Sequence, residues 1–161
     1  MKKMSERLKK EIGRRKYKSN SLSKILSIVF LFLSAIHFYW AFGGTWGFNN
    51  TLPETSEGIK VLSPTFTDSI IVAFVLLLFS KVYLFYQKPL KSKTLTYLKT
   101  ILLWLIPFLF LLRSIGDLYY VGFFRQIQNT NFAYFDGYLY SPLCLTISFI
   151  GFIILIKVKK A

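Results

Sequence analysis

One cysteine, one histidine and seven acidic residues are all that this 161-residue chain offers of the side chains on which most site chemistry depends. Cys144 alone cannot close an internal disulfide. Nor can it supply the paired thiols that membrane thiol–disulfide or quinone-linked redox enzymes need. His37 alone cannot ligate a haem from both sides within one chain. A single His, a single Cys and scattered Asp lack any metal-ligand spacing, so neither a metal nor another cofactor is expected. The run Gly43-Gly44-Thr45-Trp46-Gly47 has no strand before it and no Lys-Ser/Thr after it, which excludes a nucleotide loop and leaves a flexible turn.

Apolar and basic residues are abundant instead. The chain is 53% apolar and 19% aromatic, with mean hydropathy +0.45 and a net charge of +14. Four apolar stretches, at about 22–42, 64–86, 96–116 and 141–157, are each long enough to cross roughly 30 Å of hydrocarbon. The first could be mistaken for a signal peptide. Its apolar run, however, continues into His37-Phe38-Tyr39-Trp40 with no small-x-small cleavage site. Ser63-Pro64 and Ser141-Pro142 read as helix openings, and Pro107 is expected to kink the third span. The expected fold is therefore an all-α integral membrane four-helix bundle over residues 22–158. A basic tail, 1–21, precedes it. Met4, Leu8 and Ile12 recur every fourth residue in that tail, so it is either an interfacial helix or a solvated segment.

The charges give an orientation. Ten bases lie between Lys2 and Lys24, five between Lys81 and Lys99, and three at Lys157, Lys159 and Lys160. That leaves Lys60, Arg113 and Arg125 for the other side, together with Glu54, Glu57, Asp68, Asp117 and Asp136. The positive-inside rule then puts both termini in the cytoplasm and the two long, aromatic-rich connections outside. Trp40, Trp46 and the segment from Tyr119 to Tyr140 form the outer aromatic belt. Confinement of the bases to one side also makes anionic lipid headgroups, not nucleic acid, the expected partner of the N-terminal tail.

Polar chemistry collects near the outer face. Counting 1.5 Å per residue from Lys24, Lys99 and Lys157 places His37, Arg113 and Cys144 at a similar depth, about 20 Å above those markers. Ser34, His37, Ala41 and Gly44 share one face of the first span, and Ser141, Cys144, Ser148 and Gly151 share one face of the fourth. Small residues mark close helix packing in lipid, so both faces are expected to turn inward. A guanidinium on a membrane helix requires a partner or water. Asp117, four residues beyond Arg113, is the obvious candidate; Asp136 or Asp68 would serve from across the bundle. The candidate ligand-binding residues are His37, Trp40, Arg113, Asp117, Asp136 and Tyr140. They describe either an outward-facing pocket for a lipid or small ligand, or a structural ion pair in an accessory membrane subunit. His37 fits a general base or an inter-helix hydrogen-bonding group, and Cys144 a packing residue. A transporter is disfavoured because no acidic residue lies near mid-membrane.

The residues His37-Phe-Tyr-Trp40-Ala-Phe-Gly43-Gly44-Thr-Trp46-Gly47, Pro53, Arg113-Ser-Ile-Gly116-Asp117, Gly122-Phe-Phe, Phe132-Ala133, Asp136 and Tyr140-Ser141-Pro142-Leu143-Cys144 also form a pattern. It resembles a family of small bacterial four-span membrane proteins that is a domain of unknown function. The resemblance covers about residues 22 to 158 and omits the tail. It implies a bacterial cytoplasmic membrane location and no particular activity.

Overall fold

The computed structural model describes the backbone of residues 2–86 and 92–159, and the side chains of Glu6, residues 21–86 and residues 92–157. Helix α1 runs from Lys2 to Ala41, so the basic tail is helical and continuous with the first span. The side chains of Met4, Leu8 and Ile12, and the basic connection at Lys88 and Lys91, lie outside the described residues. A short 3-10 turn, Phe48–Thr51, and an isolated bridge between Glu54 and Lys60 shape the connection to α2, Phe66–Leu84. Helix α3 spans Lys93–Ile115 and continues across Pro107. Then come α4, Asn131–Phe135, a π-helical turn, Asp136–Tyr140, and α5, Ser141–Lys159. Among the described residues four helical segments are long and apolar enough to cross a membrane: Ser21–Ala41, Phe66–Leu84, Lys93–Ile115 and Asn131–Lys157.

Two boundaries differ from expectation. The cap of α2 is Thr65, not Ser63. Its hydroxyl accepts from the Asp68 amide while the Asp68 carboxylate accepts from the Thr65 amide, a reciprocal pair that satisfies two free donors of the first turn. The fourth span begins at Asn131, ten residues before Ser141-Pro142. There Thr130 caps α4 through the Ala133 amide, and the π turn carries the helix on into α5.

Small residues bring the helices together. Helices α1 and α2 pack antiparallel along a serine seam: Ser23 donates to the Tyr83 carbonyl, Ser80 to the Ser27 carbonyl at 2.8 Å, and Ser34 to the Ala73 carbonyl at 2.8 Å. Such bonds between membrane helices are worth about 0.6 kcal/mol each, so they act mainly by fixing register. Helices α3 and α5 form the second antiparallel pair. Gly151 lies so close to Pro107 that an added Cβ would come within 2.8 Å of its ring. The expected α5 seam of Ser141, Cys144, Ser148 and Gly151 is buried throughout. Phe30 joins the two pairs, stacking on Tyr83 at 5.7 Å and meeting Phe110 edge-on at 5.4 Å. Ile28, Phe32, Phe74, Phe108 and Phe149 point outward, as lipid-facing side chains do.

Candidate functional site

The polar cluster lies at the end of the bundle remote from the chain termini, and the local backbone builds it. Helix α3 stops because Gly116 adopts φ +89°, a conformation that a side chain would strain. The chain then doubles back, and Gly122, at φ +91°, packs its backbone onto that of Ile115 and Gly116. Neither glycine has room for a Cβ: one on Gly116 would clash with the Val121 carbonyl oxygen, and one on Gly122 with that of Ile115. Asp117 holds this turn together. Its Oδ1 accepts from the amides of Tyr119, Tyr120 and Val121 at 2.9, 2.7 and 2.9 Å. Partial burial opposes ionisation of Asp117, but the amides of Val121, Tyr119 and Tyr120 outweigh it and hold its pKa below the usual aspartate value.

The tight loop delivers the Gly122 amide to Asp136. This carboxylate, on the π turn, is fully buried. Its Oδ1 accepts from Arg113 Nη2 at 2.9 Å. Its Oδ2 accepts from the Gly122 amide at 2.7 Å and from the Ser141 hydroxyl at 3.1 Å. Arg125 Nη1 stands 3.7 Å from the same oxygen. Arg125 also donates to the Gly122 carbonyl at 2.9 Å and to the Ala133 carbonyl at 2.7 Å, so it clamps the loop onto α4. One buried carboxylate is thus met by two guanidiniums, and the cluster carries a net positive charge. That surplus is accessible at Arg113, whose side chain is 35% exposed against 13% for Arg125. Arg113 Nη1 and Arg125 Nε are themselves buried and have no hydrogen-bond partner among the described residues.

Arg113 opens onto two clefts. The first, about 350 Å³, is lined by His37, Trp40, Asp68, Arg113 and Tyr140 among the apolar side chains of Leu33, Phe48, Leu52 and Val72. The His37 and Trp40 rings meet edge-on at 4.9 Å, and Trp40 Nε1 donates to the Trp46 carbonyl at 2.9 Å. That bond fixes the indole as a wall of the cleft. The second cleft, about 450 Å³, shares Arg113 and Thr51 with the first and adds Gly116, Asp117, Leu62 and Phe132.

Of the six residues expected at the site, His37, Trp40, Arg113 and Tyr140 line one cleft, Asp136 lies behind it, and Asp117 lines the other. The Arg113–Asp117 pair does not form. Once α3 ends at Ile115, Asp117 no longer lies on its helical face, and Asp136 takes the guanidinium instead. Arg125 was missed, because nothing in an aromatic-rich connection marks one base as the second partner of a distant carboxylate. Among the described residues no three His, Cys, Asp or Glu side chains converge as metal ligands.

A helical bundle with four membrane-length spans, closed at one end by a buried ionic cluster, defines this chain as a multi-pass membrane protein. Residues 30–150 match the family described as "Protein of unknown function (DUF3995)", and the chain belongs to that family. No curated protein and no solved structure gives a match.

Proposed function

We propose that this protein binds a polar-headed membrane amphiphile at the cleft between α1, α2, α3 and the π turn. The observation that carries the reading is Arg113. Its Nη2 is paired with Asp136, its side chain is 35% exposed, and it lines a cleft whose other walls are mostly apolar. Clefts of this kind, apolar with a few convergent polar groups, are the usual form of a small-molecule site. His37 and Tyr140 can contribute further hydrogen bonds to the bound head, and Leu33, Leu52 and Val72 contact its chain.

A second reading is supported by Asp136. Its saturation with donors fits a structural ion cluster in an accessory subunit with no ligand. Lipid extraction and mass spectrometry after purification in mild detergent separate the two. Wild type should retain a polar-headed amphiphile that Arg113→Gln and His37→Ala lose while melting within a few degrees of wild type. Identical lipid content in wild type and both variants, with a lowered melting temperature, leaves only the structural reading.

Eighteen of the twenty-one bases fall, in the sequence, in the N-terminal segment, between Lys81 and Lys99, or at Lys157, Lys159 and Lys160. This supports a cytoplasmic location for both termini, a cleft opening to the outer side of a bacterial cytoplasmic membrane, and contact of the basic tail with anionic headgroups.

A further inference from the structure

The second cleft holds two unmatched charges of opposite sign. Arg113 brings the cluster's surplus positive charge on a side chain that is 35% exposed. Asp117 brings a carboxylate: it is exposed, it forms no ion pair among the described residues, and its three loop amides all bond to Oδ1. The two residues are four positions apart and line one cavity. A purely anionic head would meet the Asp117 carboxylate, and a purely cationic one would meet Arg113. A dipolar head satisfies both.

We infer that this cleft receives a zwitterionic amphiphile, with its phosphate on Arg113 and a primary ammonium on Asp117. The inference rests on the proposed binding of an amphiphile by Arg113, names its headgroup class, and places that head in the second cleft that Arg113 also lines, so that the chain leaves there and not along Leu33, Leu52 and Val72 of the first. A primary ammonium offers the hydrogen bonds that a carboxylate accepts. A quaternary ammonium would instead require a cage of aromatic faces, and Phe132 is the one aromatic side chain lining the cleft. Leu62, Leu112 and Val121 supply an apolar border along which an acyl chain can leave. Asp68 lines the first cleft and not this one, and its Oδ2 accepts from both the amide and the hydroxyl of Thr65.

The test is native mass spectrometry of the detergent-solubilised full chain with dioleoyl phosphatidylethanolamine, phosphatidylglycerol and phosphatidylcholine in turn. Wild type should hold the ethanolamine lipid about threefold or more tightly than the other two, the gain expected of one solvent-accessible ion pair. Asp117→Asn keeps a carbonyl oxygen for the loop amides and should abolish that preference without weakening phosphatidylglycerol binding. Asp117→Glu should restore it. Equal binding of the three lipids by wild type, or a preference that survives Asp117→Asn, overturns the inference. Displacement of the lipid by an equal concentration of soluble glycerophosphoethanolamine overturns it too, since a free headgroup would then suffice. Arg113→Gln separates the two levels of the reading: undiminished binding of all three lipids by this variant removes the amphiphile site itself, whatever Asp117 does.

Discussion

Removing the Asp136 carboxylate should loosen the whole end of the bundle that carries the clefts. Asp136→Ala leaves Arg125, only 13% exposed, without its counter-charge, and strips an acceptor from the Gly122 amide and the Ser141 hydroxyl. Taking one partner from a buried ion pair costs about 3–5 kcal/mol. An orphaned buried amide adds about 1–3 kcal/mol. Arg113 offsets part of this, because its 35% exposure lets it turn toward water. A net loss of roughly 4 kcal/mol follows, and for a chain of this length that is about 10 °C in melting temperature. Asp136→Asn keeps the shape and one carbonyl oxygen and should fall near half that loss. Melting in detergent, read from tryptophan fluorescence, measures both, since Trp40 and Trp46 stand beside the first cleft. The decisive comparison is a double-mutant cycle. Arg113→Met in the Asp136→Ala background should cost clearly less than it does alone, because its partner is already gone. A melting temperature within about 2 °C of wild type for Asp136→Ala, or strict additivity in the cycle, would refute the account of how this end is held.

Gly116→Ala and Gly122→Ala should each destabilise by at least about 2 kcal/mol, since both positions have positive φ and a Cβ would meet backbone atoms; either variant melting like wild type would show that the loop can open without cost. A fluorescent reporter that matures only in the cytoplasm should light up when fused after Ala161 and stay dark when inserted at Gly58, a position with open space around it. The opposite pattern would reverse the proposed orientation.

The four spans were legible because membrane crossing imposes a length and a hydropathy that few other constraints can imitate. The inward turn of Ser34, Ser141, Cys144 and Ser148 was legible for a related reason, since small residues repeated at helical spacing let backbones approach. What failed was every inference that carried helical geometry past a helix end. The Arg113–Asp117 pairing assumed that α3 continued through Gly116. The Ser141-Pro142 start assumed that the fourth span opened there, whereas a π turn keeps Asp136-Gly137 in the same helical segment and buries the carboxylate. Hydropathy gives no weight to a charged residue that is neutralised from elsewhere, and Arg125 neutralises Asp136 from a connection with no periodicity to read. Thr130, placed one residue before Asn131, was the available signal of an earlier helix start.

The two arginines divide structure from function within one cluster. Arg125 is nearly enclosed, anchors two carbonyls, and stands beside the Asp136 carboxylate, so it can neutralise that charge while fixing the loop. One cation is enough for one carboxylate. A second guanidinium at membrane depth adds a desolvation cost that neutrality does not require. Packing gives no reason for it either, because apolar residues of similar volume commonly replace a buried ion pair at no loss of stability. Arg113 nevertheless reaches the same carboxylate, keeps its side chain 35% exposed, and forms part of the wall of both clefts. A group that is surplus for charge balance, costly at its depth and open to two cavities is explained by what enters them. Asp136 thus ties the loop through Arg125, Gly122 and Ser141 and also aims Arg113 toward the clefts.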